Sequence, residues 1–133
     1  MNDTIRVGVV GVGAIGQNHA RVLAELPQAE LAAIFDTDAD RAKELADKYG
    51  ARPVSDLATF AELVDAATVA TPTVTHAEIG GTLLDLGKHI LVEKPITTNV
   101  ADAQMLVDKA RKQDRILQVG HIERFNPVMK NLE

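Results

Sequence analysis

Residues 5–16 read IRVGVVGVGAIG, a short apolar run that leads directly into three glycines with the spacing G-x-G-x-x-G. The apolar half has the composition of a buried strand, and the glycines stand where a strand turns into a helix. An acidic residue, Asp36, follows twenty positions after Gly16, at the end of a second apolar run over 29–35. A glycine pattern alone is weak evidence, because it also fits a plain strand-to-helix turn. In this order, however, strand, loop, helix, strand and acid predict a dinucleotide-binding site.

Each glycine of this loop has a distinct expected role. Gly11 permits the tight turn, Gly13 lets a pyrophosphate approach the backbone, and Gly16 lets the following helix pack closely on the strand. The main chain of Ala14 and Ile15 opens that helix, whose N-terminus carries partial positive charge. We therefore expect these five residues to hold the phosphates.

The acid at the end of the second strand predicts which dinucleotide binds. The carboxylate of Asp36 is expected to accept both ribose hydroxyls of the adenosine half and to repel a 2′-phosphate. No Lys or Arg directly follows it, and Asp38 adds negative charge. The expected cofactor is therefore NAD, with NADP less favoured. Arg41, about one turn into the next helix, could reach a 2′-phosphate or be a solvated surface residue.

Strand and helix patterns alternate along the chain, which predicts a βαβ architecture. Strands are expected at 5–10, 29–35, 52–54, 66–70, 89–92 and 116–119. Three strands on each side of a reversal give a doubly wound parallel α/β sheet of order 3-2-1-4-5-6, with ligand at the carboxyl ends of strands 1 and 4. Five residues of the first helix are predicted to share an apolar face: Ile15, His19, Val22, Leu23 and Leu26. On that face we interpret His19 as a hydrogen-bonded core residue and not as a catalyst.

The composition limits the classes of function. Hydrophobic residues make up 46 % and charged residues 25 % of the 133 residues, as in a globular domain. The net charge of −5 and the low aromatic content, one Tyr and three Phe, argue against a nucleic-acid partner. No apolar stretch is long enough for a membrane span, the N-terminus does not resemble a signal peptide, and Cys is absent. A cytoplasmic location is therefore expected, and no metal ligands are predicted.

Two turns at the carboxyl ends of central strands carry the remaining candidates. The first contains Thr71, Pro72 and Thr73, and its proline biases Thr71 toward extended backbone. Thr73 or Thr75 can cap the following helix, and capping alone would explain the threonines. The functional interpretation places this turn beside the nicotinamide half of the cofactor, across the crevice from the glycine loop.

The second turn is Glu93-Lys94-Pro95, at the end of the fifth strand. There the Lys94 ammonium can donate to a substrate hydroxyl and stabilise the charge that develops on its oxygen as hydride leaves the carbon. Glu93 could hold that ammonium in place. The alternative interpretation of the two charges is an ordinary solvated pair.

Four segments together resemble the glucose–fructose oxidoreductase, inositol dehydrogenase and rhizopine catabolism (Gfo/Idh/MocA) oxidoreductases. They are GVGAIG at 11–16, FD at 35–36, ATPTVTH at 70–76 and GKHILVEKPIT at 87–97. The resemblance implies NAD(P)-dependent oxidation or reduction of a sugar, nucleotide-sugar or cyclitol, with Lys94 touching both substrate and nicotinamide ribose. It also implies that His76 borders the nicotinamide pocket, that Glu93 belongs to the cofactor site, and that the bond before Pro95 can be cis.

The segment GHIERFNP at 120–127 is similar to the family's passage toward a substrate domain. Its sequence resembles that of a subgroup acting on UDP-N-acetylglucosamine-type sugars at the 3-position. This resemblance implies substrate contacts for His121, Arg124 and Asn126. Arg124 and Asn126 could equally be boundary residues. We assign 1–120 to the nucleotide-binding domain and 121–133 to the start of the connection.

The resemblance further implies a second α+β domain, absent from these residues, with the acid/base histidine and the contacts of a homo-oligomer. Residues 1–133 alone are therefore expected to bind cofactor but to be catalytically incomplete. Two other classes stay open: a regulatory nucleotide-sensing domain, which needs no lysine at 94, and a family-like protein that binds cofactor without catalysis.

Overall fold

The computed structural model describes residues 4–120, which form one parallel sheet covered by helices. The strands are β1 Ile5–Val10, β2 Ala29–Phe35, β3 Arg52–Val54, β4 Ala66–Val69, β5 His89–Glu93 and β6 Leu117–Gly120. The helices are α1 Ala14–Glu25, α2 Ala39–Tyr49, α3 Leu57–Leu63, α4 His76–Asp85 and α5 Val100–Gln113. A single 3₁₀ turn, Thr73–Thr75, precedes α4. Each strand lies within a residue or two of its predicted bounds.

The sheet has the order β3-β2-β1-β4-β5-β6, and every pair of neighbours is parallel. The predicted doubly wound order is therefore confirmed. Val10 at the end of β1 pairs with Phe35 of β2 on one side and with Val69 of β4 on the other. The chain reverses direction across the sheet between β1 and β4, so the loops after these two strands diverge and leave a crevice.

Two apolar clusters hold helices to the two faces of the sheet. Val9 belongs to the cluster under α1 and α2, whereas Val10 belongs to the cluster under α3, α4 and α5. Successive residues of a strand point to opposite faces, so β1 contributes to both layers. Phe60 and Leu106 are fully buried in the second cluster. Burial on both faces explains why the buried stretches 7–10 of β1 and 90–92 of β5 contain no charged residue.

The predicted apolar face of α1 was wrong in its rotation. Ile15, Val22 and Leu26 are 45 %, 42 % and 43 % exposed, and the buried residues of the helix are Gly16 and Ala20. The helix approaches the sheet through its smallest side chains because the glycine loop brings its first turn very close to the end of β1. A close approach leaves no room for large side chains at these two positions. Of the predicted apolar face, Leu23 still packs partly buried against the first cluster and His19 is half-buried.

The helix ends follow local backbone chemistry. Gly50 and Gly87 adopt left-handed backbone angles, with φ of 75° and 80°, after α2 and α4, a conformation that glycine adopts readily at helix ends. Asp114 adopts the same region after α5, with φ of 54°, which the sequence pattern did not indicate. Within residues 4–120 every helix is too short or too polar to cross a bilayer.

Candidate functional site

The glycine loop has the geometry that its sequence predicts. Gly11 has a φ of 91°, and a Cβ there would lie 2.8 Å from Thr71 Cγ2. A Cβ on Gly16 would lie 1.7 Å from the carbonyl oxygen of Gly11, so only glycine fits this position. A Cβ on Gly13 would meet nothing within 4 Å. The first and third glycines are thus required by packing, whereas the second faces open space on the ligand side.

The first turn of α1 fits a bound diphosphate. Gly13 is its N-cap residue and supplies no side-chain hydrogen bond, and the first turn contains no acidic residue. The first amides of a helix have no partner within the helix, and here no cap replaces one. Open space over Gly13, uncapped amides and the helix dipole together match the chemistry of an anionic group.

Asp36 is fixed in position by two backbone amides. Its Oδ2 accepts from Val12 N at 2.8 Å, and its Oδ1 accepts from Asp38 N at 2.8 Å. Asp38 in turn caps α2 by accepting from Arg41 N at 3.1 Å. The carboxylate therefore stands rigidly between the glycine loop and α2, and lone pairs of both oxygens stay available to hydroxyl donors.

These elements enclose a cleft of about 620 Å³, a volume within the range of small-molecule sites. Its lining includes seven of the predicted cofactor residues: Gly11, Gly13, Ala14, Ile15, Asp36, Thr71 and Pro72. It also includes Phe35, Thr37, Arg41, Ala70, Thr75 and Ile79. From the sequence, Arg41 could be either a phosphate-binding or a surface residue, and Ile79 was not predicted to line the site. The position of Ile79, about one turn into the helix that follows the turn after β4, could have indicated it.

A second hollow of about 590 Å³ adjoins this cleft at the ends of β2 and β3. Phe35, Asp36 and Thr37 line both spaces, and Lys43 and Arg52 line the second one only. The carboxylate of Asp36 thus lies at the boundary of the two hollows.

The turn after β4 is braced by a threonine in an unexpected way. Thr75 occupies the N-cap position of α4 but makes no side-chain capping bond. Its hydroxyl lies 2.6 Å from Thr71 Oγ1 and 2.6 Å from the carbonyl oxygen of Pro72. The prediction that Thr75 caps α4 is therefore wrong, because its hydroxyl makes hydrogen bonds within the preceding turn instead. Thr73 lies in the 3₁₀ turn and is not part of the cleft lining.

His76 lies beneath the two turns instead of bordering the cleft. Its side chain is 1 % exposed. Its Nε2 is 2.8 Å from the carbonyl oxygen of Thr71, and its Nδ1 is 3.1 Å from the carbonyl oxygens of Pro95 and Ile96. Both ring nitrogens are engaged by backbone oxygens, so the observed role of His76 is support of the two turns. The expectation that it borders the nicotinamide pocket stays a prediction.

Glu93 ends β5 with its carboxylate turned toward α1. Its Oε1 lies 2.5 Å from His19 Nε2, and the two side chains are 8 % and 15 % exposed. The interpretation of His19 as a hydrogen-bonded interior residue is thereby confirmed. The peptide bond between Lys94 and Pro95 is cis, as the resemblance implied. Gly16, Glu93 and Lys94 are not part of the cleft lining.

The remaining candidates lie elsewhere. His121, Arg124 and Asn126 fall outside the described residues, so their predicted substrate contacts stay predictions. Within residues 4–120 no group of His, Asp and Glu side chains is placed to hold a metal ion.

Comparison with known proteins relates residues 5–121 to a family described as an oxidoreductase family with an NAD-binding Rossmann fold, Gfo/Idh/MocA. The UDP-N-acetylglucosamine 3-dehydrogenase of Acidithiobacillus ferrooxidans is 36 % identical over 96 % of this chain and 40 % of its own length. The myo-inositol 2-dehydrogenase of Thermotoga maritima is 36 % identical over 97 % of this chain and 40 % of its own.

A solved structure shows the same similarity. That of KijD10, a 3-ketoreductase from Actinomadura kijaniata in complex with NADP and TDP-benzene, superposes with a TM-score of 0.89 at 34 % identity, over 97 % of this chain and 41 % of that one. The chain thus spans about 40 % of the length of the curated relatives that it matches.

Proposed function

Because this chain belongs to the Gfo/Idh/MocA family of oxidoreductases, we propose that the protein transfers a hydride between a nicotinamide dinucleotide and a hydroxyl-bearing carbon of a sugar, nucleotide-sugar or cyclitol. The observation that carries the proposal is the glycine loop. Open space over Gly13 and an uncapped helix end face the same cleft as the fixed carboxylate of Asp36.

The cofactor in this proposal is NAD in preference to NADP. A dinucleotide would rest its diphosphate on the amides of the glycine loop and its adenosine ribose on Asp36. The carboxylate is held from both oxygens by backbone amides, so it cannot easily swing away from a 2′-phosphate. Arg41 also lines the cleft, but the Asp36 carboxylate would repel a 2′-phosphate. Thr71 and Pro72, on the opposite wall, would lie toward the nicotinamide half.

Lys94 is the catalytic residue of the proposal. The bound nicotinamide supplies the carbon that gives or takes the hydride. The Lys94 ammonium donates to the substrate oxygen and stabilises the negative charge that develops there during transfer. A histidine outside residues 1–133 is proposed to exchange the hydroxyl proton.

The share of the relatives' length that the chain covers bears on which activities we propose for residues 1–133 alone. Residues 1–133 span about 40 % of the relatives' length. We propose that these residues alone bind the cofactor but do not complete the reaction, because a second domain of the whole protein holds the substrate and joins the subunits of a homo-oligomer.

The substrate class is proposed from the relatives and from three residues. The matched proteins are named for a UDP-sugar, for myo-inositol and for a 3-keto substrate. Arg124 is suited to a phosphate or carboxylate, and Asn126 and His121 to sugar hydroxyls. A nucleotide-sugar oxidised at its 3-position is the specific substrate that we propose.

Calorimetric titration of the chain with NADH and NADPH tests the cofactor half of the proposal. Saturable heat with NADH, and weaker binding of NADPH, is the expected result. No heat with either coenzyme would refute it. For the substrate, the whole protein would be screened for NADH formation with UDP-N-acetylglucosamine, myo-inositol and free aldoses, and we expect the nucleotide-sugar to be the best substrate.

A further inference from the structure

Two histidines on different helices hold the two sides of the segment that contains Lys94. His19 of α1 contacts Glu93, the residue before the lysine, through Nε2 and Oε1 at 2.5 Å. His76 of α4 lies 3.1 Å from the carbonyl oxygens of Pro95 and Ile96, the residues after it. The residues on both sides of Lys94 are therefore each held by a histidine.

The contacts on both sides of Lys94 are largely shielded from water. The side chains of His19 and Glu93 are 15 % and 8 % exposed, and His76 is 1 % exposed. A Cβ on Gly120, at the end of β6, would lie 3.3 Å from Glu93 Oε1, so the neighbouring strand also confines the carboxylate. Hydrogen bonds in such surroundings are stronger than exposed ones, and losing one partner leaves the other buried and unsatisfied.

The two histidines also connect this segment to the walls of the cleft. His19 lies on the helix whose first turn carries the glycine loop. His76 binds the carbonyl of Thr71 at 2.8 Å, and Thr71 lines the cleft. Neither histidine is itself part of that lining. Their contacts thus fix the lysine segment relative to the glycine loop on one side and the turn after β4 on the other.

We propose that His19 and His76 are positioning residues that set the direction in which the Lys94 side chain leaves the backbone. The inference rests on the proposed function, in which that lysine stabilises the reacting oxygen. A fixed backbone on both sides of residue 94 limits the region that a long, flexible side chain can sample, and misplacement of a catalytic group by about an ångström can cost about a hundredfold in rate.

The test reads the lysine directly. The chain would be labelled with ¹³C at the lysine ε-carbons, and the Lys94 signal, assigned by its loss in Lys94→Ala, would be followed in three variants. In His19→Leu and in His76→Asn we expect it to move and its two ε-proton shifts to converge, because the side chain samples more orientations. In His19→Gln, whose amide nitrogen can replace Nε2, we expect recovery of the wild-type signal.

His89→Leu is the matched control. His89 lies at the other end of β5, where its Nδ1 accepts from Ile116 N at 2.9 Å. The substitution removes a histidine contact from the same strand without altering the contacts of the lysine segment, so the chemical shift of Lys94 should not change. An unchanged Lys94 signal in folded His19→Leu and His76→Asn would overturn the proposal. If His76→Asn does not fold, the comparison of His19→Leu with His19→Gln decides the matter.

Coenzyme titration of the same samples separates this inference from the proposed function. We expect the NADH dissociation constant of the folded histidine variants to stay within about threefold of wild type, since neither residue lines the cleft. A loss of NADH binding that accompanies every change in the lysine signal would mean a general collapse of the site and would contradict a positioning role. A wild-type chain that binds no NADH would refute the proposed function, while the lysine signal would still report on the two histidine contacts.

Discussion

The carboxylate of Asp36 accepts a hydrogen bond from the backbone amide of Val12, within the glycine loop, at 2.8 Å. The two parts of the dinucleotide fingerprint, separated by two dozen residues, are thus joined directly. Because Asp38 N binds the other oxygen, the acid is oriented before any ligand arrives. The preference for a free ribose that we propose for Asp36 rests on this fixed orientation as much as on its charge.

Removing the charge of Asp36 should change the choice of coenzyme. Asp36→Asn keeps an oxygen for Val12 N but no longer repels a 2′-phosphate. We expect NADH affinity to fall about tenfold and the ratio of NADH to NADPH affinity to fall further. Fluorescence titration with both coenzymes measures this. Asp40→Asn, at an exposed position of α2 outside the cleft lining, is the control, and an unchanged ratio in Asp36→Asn would contradict the assigned role.

The second and third glycines of the loop should respond differently to the same methyl group. Gly13→Ala places it in open space, so the melting temperature should change little while NADH affinity falls at least about tenfold. Gly16→Ala places it against the Gly11 carbonyl, so the fold itself should be destabilised, by about 2 kcal/mol or more. Thermal melts and coenzyme titrations on both variants separate the two effects. Equal binding by Gly13→Ala and wild type would be inconsistent with a diphosphate at this helix end.

Loss of the Lys94 ammonium should affect chemistry more than coenzyme binding. In the whole protein, Lys94→Ala is expected to lower kcat at least about a hundredfold, while the NADH dissociation constant changes by less than about threefold. Lys88→Ala, just before the opposite end of β5, is the matched control and should leave both quantities near wild type. Unaltered turnover in Lys94→Ala would remove the lysine from the mechanism.

A surface ion pair at the amino ends of the central strands β1 and β4 should make stability depend on pH. Arg6 Nη2 donates to Asp65 Oδ1 at 2.9 Å and its backbone N to Oδ2 at 3.1 Å, and these bonds hold the pKa of Asp65 below its usual value. A depressed carboxyl pKa stabilises the fold above the unfolded-state pKa and loses its effect as pH falls through the folded one.

Asp65→Asn should therefore lower the free energy of unfolding at pH 7, by less than about 1 kcal/mol because both side chains are nearly half exposed. The difference from wild type should shrink below about pH 4. Urea unfolding across this range measures it. Glu25→Gln, in the exposed Arg21–Glu25 pair, should cost no more than a few tenths of a kcal/mol, about the size of an i,i+4 pair. A difference for Asp65→Asn that is constant with pH would show that the pair is not its source.

The two glycines inside α4 offer a test of packing. A Cβ on Gly81 would lie 3.6 Å from Met105 Sδ and Lys109 Cε, an ordinary contact, whereas one on Gly80 would lie 3.2 Å from Ile90 Cδ1. Gly81→Ala should therefore stabilise the protein by about 0.5–1 kcal/mol through helix propensity. Gly80→Ala should gain less, or lose stability, and the reverse order in thermal melts would contradict this packing.

The fold could be predicted from the sequence because its signals are local. Strand and helix periods, the glycine loop and the cap glycines at 50 and 87 each act within a few residues, and the doubly wound order follows from alternation and handedness. The rotation of α1 could not, since the period 3.6 finds a large apolar face even when Gly16 and Ala20 face the sheet.

Long-range side-chain pairing was the other part that the sequence could not predict. Nothing in the pattern indicates that His19 will meet Glu93, 74 residues later, or that His76 will bind the backbone of two separate turns. The glycine loop and the turn residues Thr71 and Pro72 were placed correctly in the cleft because they belong to motifs with a known mechanical role. The domain boundary at 120, the substrate contacts beyond it and the cytoplasmic location stay predictions.

The first turn of α1, which has no capping side chain, has a consequence for synthetic coenzymes. Simplified nicotinamide mimics that lack the pyrophosphate would leave those amides without an anionic counterpart and would forgo the contacts that we propose for the glycine loop. Such mimics should be poor partners for this protein, and redesign to accept them would have to begin at Gly13, by building a polar cap into the site that a phosphate would otherwise fill.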